Sequence, residues 1–558
     1  MVILSRARFG IFRIIISIPS PISAFSICLS LPQAKPSRPS FRPTWFPPRF
    51  GVFSSPSCSS SAFASSRRRT IIAYPLLISH AFMTWQALFR LEPHERRGRR
   101  IHLVGIGGTG LAPIARVLLQ MGFRVSGSDQ AINERTEALK LLGARIFAGH
   151  RAEQLLDDAP PRKPDLLLIS SAVPEDNPEV QQARAWDIPV VKRKDILGPL
   201  TADRDVLAVA GTHGKTTTTA LITHILARAG HRPGYIIGSE IPALGFSDAG
   251  EEPLFIIEAD EYDHMFLGLR PWRLIITNLD WDHPDLFPTR AAYEDAFSRL
   301  LAQMRPDGRV IYWRDDPVLR AWERRGRLSN GLSYGSFRGA YARAENVEMT
   351  PAGVRYLFVT PQGAWPVQLS IQGMHNVLNS MAALLAAGEA GLAYEDAIPH
   401  LVCYRGAARR FEFKGEAAGV MVIDDYAHHP TEVQSTLQAA RAAYPDRTIW
   451  AIYQPHTYSR PRTFLDLFNG AFSSADHVIV TDIYAAREPR DATLTPERVA
   501  AATRHERALA IRDLDAIADF LAQTLRPNSL VIILSAGSAT RLGPLLLDRL
   551  ASKARGAM

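Results

Sequence analysis

Short apolar segments that end in glycine or polar residues recur along the chain. Ile101–Val104 is such a segment, and the glycines after it lead into Leu111–Met121, whose apolar residues have helical spacing. A second segment, Val206–Ala210, is followed by glycines and then by a helical pattern over Thr217–Ala229. Alternation of buried strands with helices is typical of βαβ units, so the pattern predicts an α/β protein built on parallel sheets.

The same alternation continues to the end of the chain and groups into three units. Further strands are predicted at Phe123–Ser126, Leu166–Ser170, Leu254–Ile257, Leu274–Thr277, Val420–Asp424, Ile449–Tyr453, Val478–Thr481 and Val531–Leu534. A chain of 558 residues has room for three or four domains of about 150 residues each. We therefore predict domains at 98–199, 200–404 and 405–558, with hinges near residues 200 and 405.

The first 97 residues do not follow this pattern. They are rich in Ser, Pro and Arg, and no acidic residue precedes Glu92. Such a composition resembles an organelle transit peptide. It is explained equally if Met83 is the true start and the preceding residues are translated upstream DNA, and we prefer this interpretation. Proline interrupts the apolar run near residues 14–31, which makes it a poor membrane span. We predict that residues 1–97 form a disordered or non-native extension and that the protein has no membrane segment.

The net charge of +9 arises from this extension. Of the 64 Lys and Arg residues, 11 precede Glu92, so residues 92–558 carry 53 basic and 55 acidic side chains. This balance argues against nucleic-acid binding, which requires a basic surface. Cys403 is the only cysteine after residue 91, so neither a disulfide framework nor a cysteine-based zinc site is expected, and a cytoplasmic location is predicted.

The glycine-rich turn after the first strand indicates a diphosphate site. Gly105–Gly110 matches G-x-G-x-x-G between a strand and a helix, and Asp129 follows the next strand. NAD, with Asp129 on a ribose hydroxyl, is one interpretation of this turn, and a UDP-sugar is the other. The predicted ligand contacts at the strand ends of this unit are Gly107, Gly108, Thr109, Gly110, Ser128, Asp129, Ser170 and Ser171.

The second glycine turn, "GTHGKTTTT", resembles a phosphate-binding loop that lacks one glycine. It lies between a strand and a helix, a geometry that presents backbone N–H groups to phosphate oxygens. Lys215 is predicted to contact the β- and γ-phosphates, and the Thr216 hydroxyl to ligate Mg²⁺. The loop residues expected to bind nucleotide are Gly211, Thr212, His213, Gly214, Lys215, Thr216 and Thr217.

Acidic and imidazole side chains follow the later strands of the second and third units. Glu258 ends one apolar run, and His283 comes shortly after another, so both are candidate Mg²⁺ ligands. Mg²⁺ prefers oxygen, which makes the histidine the weaker candidate. The third unit contains "DDYAHHPTEV", a group of polar side chains too dense for packing alone, and Arg410 is placed to bind phosphate.

"GTHGKTTTT", "EADE", "TNLDWDH" and "GMHNVLNS" resemble, in order and spacing, the motifs of the Mur ligases, ATP-dependent amino-acid ligases of peptidoglycan synthesis. The resemblance covers about residues 100–545 and includes a short G-T-x-G-K-[ST] loop. It implies a UDP-sugar-binding Rossmann-like domain, a central P-loop ATPase-type domain and a Rossmann-like C-terminal domain. It favours the UDP-sugar over NAD for the first loop and implies a monomer or weak homodimer.

The resemblance also implies roles for individual residues. Thr216, Glu258 and His283 would hold Mg²⁺, and Lys215, Glu258, His283 and His428 would be catalytic. His375, Asn376, Asn379, Arg410 and Asp425 would contact ATP, while Tyr426 and His428 would face the incoming amino acid. Either His283 or His428 is a candidate to accept a proton from the amine.

"RRFEFKGE", "QPHTYSRPRTFLDLF" and "DIYAARE" are most similar to the members that join L-alanine to the lactyl carboxylate of UDP-N-acetylmuramate through an acyl phosphate. Tyr262 in "EADEYD" and the segment "LDWDHPDLFPT" lean instead toward the members that attach a murein tripeptide to the same sugar nucleotide. "LSAGSAT" lacks an acidic residue that often follows its glycine. L-alanine ligation is the preferred prediction, tripeptide ligation is the alternative, and an NAD-binding oxidoreductase is the alternative of another class.

Overall fold

The computed structural model describes residues 84–156, 161–242 and 244–556. Within these residues, three β-sheets follow one another along the chain, with helices packed on their faces. Residues 1–83, most of the predicted extension, lie outside the described residues. No helix in the described part of the chain combines the length and apolar character needed to cross a membrane.

The N-terminal sheet has five parallel strands in the order β3-β2-β1-β4-β5. Its strands are β1 (Arg100–Val104), β2 (Arg124–Asp129), β3 (Arg145–Ala148), β4 (Leu166–Ile169) and β5 (Val190–Lys192). Its helices are α1 (Pro93–Arg96), α2 (Ala112–Gln120), α3 (Glu134–Leu141), α4 (Pro178–Ala185) and α5 (Arg193–Leu200), with 3-10 turns at Trp85–Arg90 and Ala152–Leu156. The strand order reverses between β1 and β4, and ligands bind at such a point in open parallel sheets.

Residues 84–97 correct the predicted extent of the N-terminal extension. They form the turn at Trp85–Arg90 and helix α1, and Leu88 and Phe89 are only 3% and 4% exposed in the domain core. Arg96 donates a hydrogen bond to the Phe89 carbonyl at 2.9 Å. The apolar pair is buried against the N-terminal domain, so these residues belong to the fold.

The central sheet has ten strands in the order β15-β14-β13-β12-β11-β10-β6-β9-β7-β8. The strands are β6 (Asp205–Ala210), β7 (Gly234–Ile241), β8 (Gly245–Asp248), β9 (Leu254–Glu258), β10 (Arg273–Ile276), β11 (Arg309–Trp313), β12 (Leu332–Gly335), β13 (Ala342–Thr350), β14 (Gly353–Thr360) and β15 (Gly363–Leu369). The helices are α6 (Lys215–Arg228), α7 (Arg290–Ala302), α8 (Pro317–Arg324), α9 (Met374–Glu389) and α10 (Tyr394–Ala397), with 3-10 turns at Tyr262–Gly268 and Ile398–Cys403. Parallel pairing of β6 with β9 and β10 brings the ends of these three strands to one edge.

The C-terminal sheet has six strands in the order β16-β17-β21-β18-β19-β20, parallel except for β16. The strands are β16 (Glu412–Ala417), β17 (Val420–Asp425), β18 (Thr448–Tyr453), β19 (His477–Val480), β20 (Ala508–Ala510) and β21 (Ser529–Leu534). The helices are α11 (Pro430–Ala443), α12 (Ser459–Thr463), α13 (Pro496–Ala502), α14 (Leu514–Thr524) and α15 (Leu542–Gly556), with 3-10 turns at Leu465–Phe468 and Ser538–Arg541. Each strand predicted from an apolar run is confirmed, with ends displaced by no more than three residues.

Candidate active site between the central and C-terminal domains

The loop Gly211–Gly214 connects β6 to α6 and needs both of its glycines. Gly211 has φ +127° and Gly214 has φ +82°. A Cβ atom at Gly211 would lie 2.1 Å from Thr277 Oγ1, and one at Gly214 would lie 2.5 Å from Asn379 Oδ1. These contacts and dihedral angles exclude other residues, so the loop is built from glycine for steric reasons.

Lys215 begins α6, and its ammonium group lies inside the loop. Lys215 Nζ donates to the carbonyl oxygens of Gly211 and Thr212 at 2.6 and 3.0 Å, and lies 2.9 Å from Glu261 Oε2. Burial lowers the pKa of Lys215, but the nearby carboxylates of Glu261 and Asp260 outweigh it and raise the pKa overall. The loop therefore holds a permanent positive charge beside the free N–H groups of a helix N-terminus, which is an anion-binding arrangement.

Thr216 and Glu258 form an oxygen pair next to this ammonium. The Thr216 hydroxyl donates to Glu258 Oε1 at 2.9 Å, and the Gly238 backbone N–H donates to Glu258 Oε2 at 2.6 Å. Burial raises the pKa of Glu258, and the charge of Lys215 opposes this shift. A hydroxyl and a carboxylate beside an anion site are donors of the kind that Mg²⁺ prefers.

His283 contacts Glu261 rather than the Thr216–Glu258 pair. Its Nε2 is 3.8 Å from Glu261 Oε1, and its backbone has φ +52°. Within the described residues, no hydrogen bond or ion pair joins His283 to Glu258 or Thr216. The structure thus brings two of the three predicted metal ligands together and places the third next to Glu261.

A buried ion pair joins the central domain to the C-terminal domain beside His283. Arg460 Nε donates to Asp282 Oδ1 at 2.8 Å, and Arg460 Nη1 lies 2.9 Å from His456 Nδ1. Burial opposes ionisation of Asp282, yet the charge of Arg460 dominates and the pKa of Asp282 falls well below its usual value. Sequence reasoning missed Arg460 and Asp282, although both lie in segments whose resemblance to known motifs was noted.

His428 sits at the same boundary in a neutral form. Its Nδ1 donates to the Tyr426 carbonyl at 3.0 Å, which leaves the lone pair on Nε2, 4.0 Å from Asp282 Oδ2. Burial and the charge of Arg460 lower the pKa of His428 to about 4. The neutral ring therefore presents a hydrogen-bond acceptor to the space between the two domains.

Arginines and carboxylates complete the C-terminal side. The guanidinium group of Arg410 lies 5.0 Å from the centre of the Tyr426 ring, a cation–π contact. Asp425 accepts hydrogen bonds from the backbone N–H groups of Phe411 and Ala427 at 2.7 and 2.8 Å. Asp425 therefore holds the chain that carries Arg410 and Tyr426. A cleft of about 490 Å³ between the domains includes Arg410 and Phe411 in its lining.

Three family models match consecutive parts of the chain. The Mur ligase family catalytic domain matches residues 100–205, the Mur ligase middle domain matches residues 209–387, and the glutamate ligase domain of Mur ligases matches residues 409–537. UDP-N-acetylmuramate–L-alanine ligase from Roseiflexus sp. is 39% identical over 467 residues, which cover 80% of this chain and 98% of the relative. The chain belongs to the Mur ligase family.

Other similar proteins agree with this assignment. UDP-N-acetylmuramate–L-alanine ligase from Nocardioides sp. is 41% identical over 464 residues, covering 82% of this Mur ligase and 97% of the relative. The crystal structure of UDP-N-acetylmuramate–alanine ligase from Thermotoga maritima aligns with a TM-score of 0.68 at 27% identity, covering 81% of this chain and 99% of that one. A murein peptide ligase from Psychrobacter arcticus has a TM-score of 0.61 at 24% identity, with coverage of 81% and 99%, and shows the shared fold.

Two of the nucleotide residues predicted on α9 of this Mur ligase, Asn379 and Asn376, lie beside the phosphate loop and helix α6. Asn379 Oδ1 accepts from the Thr218 hydroxyl at 3.3 Å, and Asn379 Nδ2 donates to Asn376 Oδ1 at 3.1 Å. Asn376 in turn donates to the Gln372 carbonyl at 2.7 Å. Burial lowers the pKa of His375 to about 4. The two asparagines support the loop, whereas the half-buried His375 is the most accessible of the three residues predicted on this helix.

The glycine turn of the N-terminal domain is held by Asp129, whose Oδ2 accepts from the Gly107 N–H at 2.9 Å. The carboxylate therefore holds the turn in place. Gly108 and Thr109 are exposed and Gly110 is half-buried, whereas the Ser128 side chain is fully buried and donates to Glu179 at 2.5 Å. The structure thus keeps the Ser128 hydroxyl away from the turn, although the Ser128 backbone carbonyl accepts a hydrogen bond from the Gly105 N–H.

The last two predicted contacts of that domain lie at the end of β4. Ser170 is half-buried. A Cβ atom at Gly105 would lie 3.1 Å from the Cβ atom of Ser170. Ser171 is exposed and its hydroxyl donates to Asp263 of the central domain at 2.6 Å. The N-terminal and central domains therefore meet at the edge where the glycine turn opens.

Proposed function

We propose that this Mur ligase joins L-alanine to the lactyl carboxylate of UDP-N-acetylmuramate and consumes ATP in doing so. The observation that carries the ATP-dependent part is the Lys215 ammonium beside the Thr216–Glu258 oxygen pair at a glycine loop. The choice of L-alanine rests on relatives of that name that are 39% and 41% identical over nearly their whole length. We also propose that the glycine turn at Gly107–Gly110 binds the diphosphate of the sugar nucleotide.

The reaction divides into activation and amide formation. A carboxylate oxygen of the substrate attacks the γ-phosphorus of ATP. The bond between this phosphorus and the β,γ-bridging oxygen breaks, ADP departs, and the substrate becomes an acyl phosphate. The amine of L-alanine then adds to the acyl carbon, and phosphate departs as the amide forms and the amine loses a proton. Lys215 counters the charge on the transferring phosphoryl group, which is what positioned cations contribute to this chemistry.

Magnesium is the metal that the donor set fits, and we assign Thr216 and Glu258 to it. Bound Mg²⁺ supplies charge neutralisation for the phosphate oxygens of the nucleotide. His283 stays a proposed third ligand, although it contacts Glu261 rather than Glu258. Asp425 and the α9 asparagines act by holding Arg410 and the phosphate loop in place.

The amine site is proposed at the domain boundary around His428 and Tyr426. The lone pair on His428 Nε2 accepts a hydrogen bond from the incoming amine, and Tyr453 fixes the segment by donating to the His428 carbonyl at 2.9 Å. With a pKa of about 4, His428 orients the amine rather than storing its proton at neutral pH.

The test is phosphate release by the full chain with ATP, Mg²⁺ and UDP-N-acetylmuramate. We expect release, and a product heavier by one alanine residue, only when L-alanine is added. Release with the murein tripeptide L-alanyl-γ-D-glutamyl-meso-diaminopimelate but not with L-alanine would replace the proposed amine and direct attention to Tyr262. Absence of release with either amine, from folded protein that binds ATP, would contradict ligase activity.

A further inference from the structure

His213 is a phosphate-loop residue whose side chain the proposed reaction does not use. Its backbone N–H donates to Asn278 Oδ1 at 2.9 Å, so this N–H is not directed at a phosphate. Its ring Nε2 lies 3.2 Å from Asp280 Oδ2 in the central domain, and its ring Nδ1 lies 3.2 Å from Glu432 Oε1 in the C-terminal domain. The imidazole therefore bridges two carboxylates that belong to different domains.

The imidazole carries a positive charge in this position. Burial lowers the pKa of His213, but hydrogen bonds and charges from Asp280 and Glu432 outweigh it and raise the pKa to about 9. Both ring nitrogens then carry protons and donate. His213, Asp280 and His429 also place ligand atoms within 4.8 Å of one another, as a metal site would. The two ring nitrogens of His213 are directed at two different carboxylates, and His429 Nδ1 accepts from the Thr431 N–H, so an ion bridge accounts for these contacts.

The C-terminal half of the bridge is the first turn of α11. Glu432 Oε2 accepts from the His428 N–H at 3.1 Å, which ties the carboxylate to the segment before the helix. The Thr431 hydroxyl donates to Asp280 Oδ2 at 2.7 Å, and the rings of His213 and His429 lie 5.0 Å apart. The phosphate loop and the amine-side segment Tyr426–His429 are thus held together through side chains of this one turn.

We propose that His213 is a positioning residue that docks α11 on the phosphate loop and so sets where Tyr426 and His428 meet the incoming amine. The proposal rests on the function proposed above. Because the bridge connects the loop to the amine side, its loss displaces the amine-binding groups while Lys215, Thr216 and Glu258 stay in place. A displacement of about 1 Å in such groups costs on the order of 100-fold in rate.

The experiment compares His213→Asn with wild-type enzyme in the full chain. His224→Asn is the matched control, because His224 also belongs to the central domain, in the C-terminal half of α6, and contacts the His400 carbonyl at 3.1 Å and the Tyr404 ring of that same domain. His213→Lys restores a positive charge between the carboxylates. Glu432→Gln and the double variant His213→Asn, Glu432→Gln complete a double-mutant cycle. For each protein we would measure KM for L-alanine, kcat, the Kd of a non-hydrolysable ATP analogue and Tm.

We expect His213→Asn to raise KM for L-alanine by about 10-fold or more while the Kd of the ATP analogue changes by less than about 3-fold. His213→Lys should recover at least part of the loss, His224→Asn should behave as wild type, and the double variant should be no worse than the poorer single variant. An L-alanine KM within about 2-fold of wild type would overturn the proposal. Equal increases in the KM for L-alanine and the Kd of the ATP analogue would also overturn it, because the loop itself would then have collapsed. If wild type itself shows no alanine-dependent turnover, the proposed function has failed, whatever the variants do.

Discussion

Replacing Lys215 with methionine is expected to remove ATP-dependent ligation almost completely. The ammonium is the charge that we assign to the transferring phosphoryl group, and methionine has a similar length but no charge. Loss of one group that stabilises transition-state charge costs about 10²- to 10³-fold, and we expect the fall in kcat to lie at the upper end of this range, about 10³-fold. Initial rates of phosphate release at saturating substrates measure the effect.

The control for Lys215→Met must separate lost chemistry from lost stability. Glu261 is 1% exposed and pairs with Lys215, so the single variant leaves a buried carboxylate without its partner. In the double variant Lys215→Met, Glu261→Gln this charge is removed, and we expect a recovered Tm with no recovered activity. Lys140→Ala, an exposed lysine paired with Glu137, should leave activity and Tm unchanged. Turnover within about 10-fold of wild type in the double variant would contradict the assignment of Lys215.

Replacing Glu258 with glutamine is the second change with a large expected effect. Glutamine keeps the shape of the side chain and still accepts from Thr216, but it lacks the charge that holds Mg²⁺. We expect kcat to fall by about 10²- to 10³-fold and the Mg²⁺ concentration for half-maximal rate to rise by at least about 10-fold. A magnesium titration of the rate at saturating ATP, with Tm recorded for each protein, measures both quantities.

Glu251→Gln is the matched control for Glu258→Gln. Glu251 is a 70% exposed side chain shortly before β9, the strand that ends in Glu258, and it pairs only with Arg232 at the surface. It should show wild-type rates and an unchanged magnesium requirement. If Glu258→Gln loses rate without any change in that requirement, Glu258 does not hold the metal.

The parts of the site that follow one strand and one loop were predictable from the sequence. Lys215 and Thr216 lie at the start of a helix directly after a glycine loop, and Glu258 ends an apolar strand, so local pattern was sufficient. Parallel pairing of β6 with β9 then places Thr216 and Glu258 side by side, with their oxygen atoms 2.9 Å apart. The resemblance to Mur ligases supplied the order of the motifs, which the family models confirm.

The contacts between domains were not predictable in this way. Asp282 and Arg460 are 178 positions apart, and His213 and Glu432 are 219 positions apart, so no local spacing relates them. Their pairing depends on how the C-terminal sheet is placed against the central one. Ser128 shows a different limit of the sequence pattern. Its place at the end of a strand predicted a ligand contact, but its side chain turns inward and donates to the buried Glu179.

The folded turn at Leu88 and Phe89 was missed for a compositional reason. It follows a long segment rich in Ser, Pro and Arg, and the turn is too short for its apolar residues to show helical periodicity. Strands β13 and β15 were missed because polar residues or proline interrupt their apolar residues, so neither has the continuous apolar run that marked the predicted strands. Strand β14 does contain such a run, Tyr356–Val359, and was not assigned.

The fate of a carboxylate oxygen tests the central claim most directly. UDP-N-acetylmuramate carrying two ¹⁸O atoms in its lactyl carboxylate would be converted by the full chain with ATP, Mg²⁺ and L-alanine, and the products analysed by mass spectrometry. Activation by phosphorylation predicts one ¹⁸O atom in inorganic phosphate and one in the amide carbonyl for each alanine joined, with ADP as the nucleotide product. Phosphate without ¹⁸O, or ¹⁸O recovered in AMP, would contradict the acyl-phosphate account of this site.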